Sequence, residues 1–283
     1  MGGGLLVALL ALGSCTTGSF SWERHTMKGT RTGVQASSAK DVAQKMGTYK
    51  DGVYTSPNGR VFSEGATPKA AKLMLDAQPI MADVKTVVGY CPEGMVRKYP
   101  ECELSDWFID VLMAAAEKKA GKKGSFGLTN FGGIRVDMPQ GDVWKDDIFS
   151  MFPFRNNLCY LEIPGWGIRK ILDQLAATSW QVVGGGKFVV QDKKLVSAEI
   201  GGEPLDDNKT YGVATISFLL NGGDGLNMAA DATHVTIFPE YILDVMYPYV
   251  LELTAAGKPI EYRKDGRIKF LSSDGKDITS TLE

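Results

Sequence analysis

Three loop segments of the 283-residue chain carry the side chains best suited to chemistry. Asn130-Phe131-Gly132-Gly133-Ile134-Arg135 combines an amide and a guanidinium with two glycines, which let the backbone approach a ligand or take positive φ. Asn130 offers amide donors there, and Arg135 can grip a phosphate or carboxylate through a forked pair of charge-assisted hydrogen bonds. Met151-Phe152-Pro153-Phe154-Arg155-Asn156-Asn157 sets aromatic rings around a proline that blocks helix. Phe218-Leu219-Leu220-Asn221-Gly222-Gly223-Asp224-Gly225 places a carboxylate in a glycine-rich turn, where it can accept two hydrogen bonds from a vicinal diol. Taken singly, each segment also has an ordinary reading: a Gly-Gly turn, core phenylalanines, and a tight turn at Asn-Gly.

Other chemistries lack their local signatures. There is no G-x-S-x-G elbow, no G-x-G-x-x-G, no C-x-x-C and no H-E-x-x-H. Gly184-Gly185-Gly186-Lys187 lacks the leading glycine of a phosphate loop and has Phe188 where a magnesium-binding hydroxyl belongs, so it reads as a turn. Only His25 and His234 supply imidazole, which argues against a multi-histidine metal site in this chain. With 31 Lys+Arg against 33 Asp+Glu the net charge is -2, which excludes a polybasic binder of nucleic acid polymers. The 44% hydrophobic content is that of an ordinary globular protein.

The elements that must position these loops show in the periodicity. Apolar residues at three- and four-residue spacing predict helices over Ser105 to Lys119, capped by Ser105, and over Trp166 to Ala177. Pro68 opens another helix, and a last one is expected from about Pro239 to Ala256. Strands are expected at Val84 to Tyr90, Phe126 to Thr129, Lys187 to Val190, Leu195 to Ile200 and Tyr211 to Ser217, with a final hairpin at Ile260 to Phe270 turning at Asp265-Gly266. Helices and strands interleave without a strict βαβ repeat, so the expected class is α+β, with mixed β-sheets and packed helices.

The N-terminal residues read as processing signal. Leu5 to Leu12 is too short to span a bilayer and fits a signal-peptide h-region. Leu12-Gly13-Ser14-Cys15 resembles the lipobox of bacterial lipoproteins, so residues 1–14 are expected to be removed and Cys15 acylated, which would anchor the protein outside the cytoplasm at the cell envelope. A plain secretory signal is the alternative. Residues 15–66 read as a tether with a short hairpin at Asn58-Gly59, and residues 67–283 as the folded domain. Export permits disulfides; Cys91 and Cys102 are the closest pair, with three unpaired core cysteines as the other possibility.

Taken in order, Glu101-Cys102-Glu103-Leu104-Ser105-Asp106, N-x-G-G-I-R at Asn130 to Arg135, P-F-x-N at Pro153 to Asn156 and F-L-x-N-G-G-D-G at Phe218 to Gly225 resemble the C-terminal substrate-binding domain of the 5′-nucleotidase and UDP-sugar hydrolase family. The resemblance implies that Phe154 and Phe218 clamp a nucleobase, that Asp224 holds the ribose hydroxyls, and that Asn130 and Arg135 contact phosphate, with Gly133 and Asn156 in the same motifs and Lys98 as a further basic residue. Phe131 departs from the glycine that relatives often carry. In the family, hydrolysis takes place in a separate metallophosphatase domain on two metal ions, marked by D-x-H and G-N-H-E or G-N-H-D segments, and none is present here. The resemblance therefore implies no catalytic residue and no metal in this chain, with a divalent metal pair in a separately encoded partner: one half of a split hydrolase of nucleotide catabolism. The alternative is a stand-alone surface lipoprotein that binds nucleosides or nucleotides, and a third reading keeps the fold without the ligand.

Overall fold

The computed structural model describes residues 31–38 and 40–282, so the apolar leader, Cys15 and His25 lie outside the described residues. Two compact units divide the chain near residue 75. In the first, α1 (Val42–Met46) leads into an antiparallel meander of β1 (Thr48–Lys50), β2 (Val53–Thr55) and β3 (Val61–Phe62). β1 and β2 meet across Asp51-Gly52, and β2 pairs with β3 across the Asn58-Gly59 turn, where Ser56 N donates to Arg60 O at 2.9 Å. Tyr54 is buried and its hydroxyl donates to Met46 O, which ties the sheet to α1. The segment expected as a tether with one hairpin thus holds two, because Asp51-Gly52 is a second tight-turn dipeptide between β-prone residues. α2 (Ala66–Ala77) follows.

The second unit holds a long central helix against a mixed sheet. Its elements are β4 (Val87–Cys91), α3 (Glu103–Ala120), β5 (Phe126–Thr129), β6 (Gly141–Trp144), α4 (Lys145–Met151), β7 (Asn157–Pro164), α5 (Gly165–Ala177), β8 (Val182–Gly184), β9 (Gly186–Gln191), β10 (Lys194–Ile200), β11 (Glu203–Pro204), β12 (Thr210–Ile216), β13 (His234–Tyr241), α6 (Ile242–Ala255) and β14 (Ile268–Leu271). Five strands run in the order β13-β7-β12-β5-β8, with β5 parallel to β12 and every other pair antiparallel. A second sheet is ordered β11-β10-β9-β14, and β4 pairs with β6. The class is α+β with mixed sheets, as expected. The chain leaves one sheet for the next at Gly184-Gly185-Gly186; Gly185 has φ 78°, and a Cβ there would stand 2.3 Å from Ser125 O.

α3 buries Trp107, Phe108, Val111 and Leu112 of the stripe its spacing predicts, and at the stripe's end buries Ala116 where the spacing points to Ala115, which is only partly covered. Its cap is Cys102 rather than Ser105: the Cys102 thiol accepts from Ser105 N at 3.4 Å while Ser105 Oγ accepts from Cys102 N at 3.0 Å, a capping box built on sulfur. The Cys91–Cys102 disulfide is not formed; Cys91, Cys102 and Cys159 are buried free thiols, and Cys102 is engaged in the cap. Burial pushes the Cys159 thiol up to about 12, so it is inert at neutral pH.

Two C-terminal expectations are corrected. The last helix begins at Ile242, because Pro239 belongs to β13, which pairs along β7. The expected hairpin of Ile260 to Phe270 is replaced by an irregular stretch and β14, which pairs in parallel with β9. α3 captures this stretch. Arg267, 5% exposed, donates to both oxygens of Asp110 at 2.8 and 2.6 Å and to Asp265 Oδ1 at 3.0 Å, with Asp106 Oδ2 3.5 Å from Nε. Glu101 Oε1 accepts from Gly266 N at 2.8 Å. Those bonds draw the turn inward and leave it no hairpin partner.

Burial raises the Asp106 carboxyl to about 8; Glu101 adds to the rise and Arg267 opposes it. Because the folded-state value lies above the unfolded 3.8, protonated Asp106 favours the fold: its contribution is complete below about pH 4 and is lost as pH rises toward 8. Asp106→Asn, which mimics the neutral acid, is expected to flatten the decline of the melting temperature between pH 5 and 8, measured by circular dichroism.

Candidate functional site

The three sequence-predicted loops converge at one end of the five-stranded sheet. β5 and β12 are parallel, so Asn130 after Thr129 and Ser217 after Ile216 leave the sheet at the same end. β7 is antiparallel to β12 with Leu158 opposite Ile216, which starts β7 beside that end and brings the Pro153 to Asn156 loop there. Asn157 N donates to Ser217 Oγ at 3.0 Å, joining the second loop to the third. β8 is antiparallel to β5 with Val182 opposite Thr129, so Gln181 also arrives at this end.

The first loop is a short 3-10 turn over Phe131–Gly133, entered through Asn130 in extended backbone. Asn130 is buried, and its Nδ2 donates to Asp224 Oδ2 at 2.7 Å, the direct link between the first and third loops. Phe131 N donates to Gln181 Oε1 at 3.1 Å. The Phe131 ring packs against Tyr99, centroids 5.8 Å apart, which gives the large side chain at the family's small position a place beside the loop. Arg135 N donates to Met151 O at 3.0 Å, tying the first loop to the end of α4. Its guanidinium donates to Gly132 O at 3.2 Å and lies 5.6 Å from the centre of the Phe154 ring.

Phe152 is core, stacked on Phe108, whereas Phe154 and Phe218 present 47% and 43% of their surface to solvent. Large aromatics half open to water on neighbouring loops are the unusual feature here, since such rings ordinarily bury. Thr129, Gly133, Phe154 and Asn156 share a small hollow with Ile216 and Ile242. Two buried polar atoms here, Thr129 Oγ1 and Asn130 Oδ1, have no hydrogen-bond partner. In the third loop Asp224 takes φ 49°, the left-handed region, and leaves its carboxylate exposed.

The structure brings together Asn130, Gly133, Arg135, Phe154, Asn156, Phe218 and Asp224. Lys98 it places elsewhere, on a cleft of about 870 Å³ with Cys91, Glu93, Glu101 and Arg263. The neighbouring Arg97 serves the loop instead: its guanidinium donates to Ile134 O at 2.8 Å and its backbone N to Asp137 Oδ1 at 2.8 Å. Sequence reading missed Arg97, Gln181 and Thr129. A strand-end position was the only cue to Thr129, and the two long side chains act across 37 and 50 residues of sequence.

Among the described residues, Glu101, Asp106 and Asp265 form the one group with carboxylates close enough to hold a cation, and they do not suit a metal. Arg267 already supplies the positive charge from within the cluster, and Glu101 is engaged with the Gly266 amide. His234 opens β13 on the surface, its Nε2 3.0 Å from Thr236 Oγ1.

A Cβ on Gly223 would fall 2.1 Å from Phe218 O, so the turn closes only on glycine. Gly223→Ala is expected to cost about 1–3 kcal/mol of overpacking, read as a shift of the urea midpoint.

Comparison with known proteins places these loops in a wider context. The chain is 29% identical over 204 residues to the trifunctional nucleotide phosphoesterase protein YfkN of Bacillus subtilis, covering 65% of this chain and 13% of YfkN. It is 31% identical over 199 residues to the cell wall protein Lmo0130 of Listeria monocytogenes, covering 64% of this chain and 25% of that protein. Among solved structures it resembles the 5′-nucleotidase precursor of Thermus thermophilus, with TM-score 0.63 and 26% identity over 76% of this chain and 45% of that one. The chain thus spans less than half the length of these relatives. The family model of the 5′-nucleotidase C-terminal domain matches residues 81–231, more than half of the chain and inclusive of all three loops. This chain belongs to the 5′-nucleotidase C-terminal domain family.

Proposed function

We propose that this chain is the nucleotide- or nucleoside-binding half of a split 5′-nucleotidase-type phosphoester hydrolase, with the dimetal centre supplied by a separate metallophosphatase chain. The observation that carries the reading is the pair of half-exposed rings, Phe154 and Phe218, beside the hydrogen-bonded Asn130 and Asp224. A base held between two rings gains about 1–3 kcal/mol per stacking contact. Asp224 accepts from the ribose hydroxyls, and Arg135 receives the anion; when a phosphate arrives, its guanidinium exchanges a neutral carbonyl and a ring face for a charged partner. Metal ions, where bound in the partner, would supply the activated water and stabilise the leaving oxygen. This chain's residues bind and orient the substrate.

The processing signal extends the proposal to location. Acylation at Cys15 would hold the domain on the outer face of the cell envelope, where extracellular nucleotides are accessible. The cell wall relative is consistent with an extracytoplasmic place.

Titration calorimetry of the purified chain with AMP, adenosine and UDP-glucose tests the binding. AMP and adenosine are expected to bind, and Phe218→Ala and Asp224→Asn each to weaken adenosine about tenfold. Unchanged affinity in both variants would leave the fold without this ligand. In a phosphate-release assay with added divalent metal the chain alone is expected to be inactive, with hydrolysis appearing when a metallophosphatase chain is added. Robust hydrolysis by the chain alone would overturn the split arrangement, and binding with no stimulation of any co-purifying metallophosphatase would favour the stand-alone receptor.

A further inference from the structure

Asp224 is a non-glycine residue at φ 49°, a conformation that persists only where the surroundings over-determine it. Within its turn the bonds are local: Gly225 N to Gly222 O at 3.1 Å and Leu226 N to Gly223 O at 2.9 Å. Two side chains reach in from elsewhere. One is Asn130, through its bond to the Asp224 carboxylate. The other is Gln174, in the last turn of α5, whose Nε2 donates to Gly225 O at 2.8 Å across 51 residues.

The opposite loop is held in a matching way. Gln181, just ahead of β8, accepts from Phe131 N at 3.1 Å, next to Asn130. Both glutamines come from one short stretch of chain, and that stretch is anchored. Thr178 N and Oγ1 both donate to Gln174 O, at 3.1 and 2.7 Å. Trp180 is buried, and its backbone N donates to Tyr99 Oη at 3.2 Å. One fixed segment therefore grips the backbone beside Asp224 with one amide and the backbone beside Asn130 with the next.

We propose that Gln174 and Gln181 are positioning residues that hold the Asp224 and Asn130 loops in register, so that the Asn130 amide keeps the Asp224 carboxylate aimed at the ribose. The proposal rests on the nucleoside-binding reading above and names the groups that set its ribose selectivity. Neither glutamine is assigned any contact with the ligand. The chemistry of their partners fixes the amide orientations: a carbonyl requires Gln174 to donate, and an N–H requires Gln181 to accept.

That opposite polarity supplies a test. Glutamate matches glutamine in size but offers acceptors only at neutral pH. Gln174→Glu removes a donor and sets a carboxylate against a carbonyl, whereas Gln181→Glu preserves the acceptor that Phe131 N needs. A role in packing alone would treat the two substitutions alike.

The experiment is a titration of adenosine and 2′,3′-dideoxyadenosine against the full chain, its Gln174→Glu, Gln181→Glu and Gln181→Leu variants, and Gln174→Ala as a second way to remove the donor. The unaltered protein is expected to prefer adenosine. Gln174→Glu, Gln174→Ala and Gln181→Leu are each expected to weaken adenosine about fivefold, leaving dideoxyadenosine unchanged, so that ribose preference falls by the same factor. Gln181→Glu is expected to keep both affinities. Equal losses for the two nucleosides, no loss in the Gln174 variants, or a loss in Gln181→Glu matching that of Gln174→Glu would overturn the positioning role while leaving nucleoside binding intact. Failure of the unaltered chain to bind adenosine or to prefer it would overturn the nucleoside reading, and this proposal with it.

Discussion

The candidate site depends on the direction of two neighbouring strands. β5 and β12 run parallel in a sheet whose other pairs are antiparallel, so both deliver the residue after their last at one end. An antiparallel pairing there would put the amide of Asn130 and the carboxylate of Asp224 at opposite ends of the sheet. Parallel neighbours need a crossover, and here it passes through α4, β7, α5 and the second sheet before β12 returns. The length of the chain between the first and third loops follows from that requirement.

α3 is the second foundation. It lies across the five-stranded sheet, fills the core with Trp107, Phe108 and Leu112, and presents Asp106 and Asp110 to the returning C-terminal stretch. One guanidinium among several carboxylates cannot balance every charge at once, so burial there favours the protonated form of Asp106. The same arrangement explains why these carboxylates form a structural joint and do not gather a cation. Arg267 reaches them from the β14 end and makes the last strand an integral part of the domain.

Much of this was legible in the residues, for physical reasons that differ from place to place. α5 announced itself because one face is buried and the other wet, which imprints a period on the chain; α3 shows that contrast only in its second half, its first turns being buried all round. The three loops were legible because glycines, a proline and isolated polar groups are costly in regular structure. β7 was not foreseen: it is buried along nearly all its length, with α3 and α5 packed against it, and a strand covered on both faces loses the alternation that marks strands. β14 was mistaken for half of a hairpin because Asp265-Gly266 has the right turn chemistry, yet the partner is β9, far away in sequence. Lys98 and Arg97 are adjacent on the chain, and composition holds nothing to say which of them faces the loop. Cys102 was read for its redox chemistry when its position before Glu103 makes it a helix cap.

The glycine run between β8 and β9 has a mechanical consequence. The two strands are one piece of chain bent at Gly185, with one arm in each sheet. The outer arm is stitched to β14; the inner arm begins beside the amide that holds the Asn130 loop. A bent beam with both arms clamped transmits torque through its elbow and absorbs little of it. The C-terminal strand also reaches the first loop through side chains, Phe270 packing on Tyr99 and Tyr99 on Phe131, so shortening or loosening it would be felt as play at that loop with no ligand-facing residue altered.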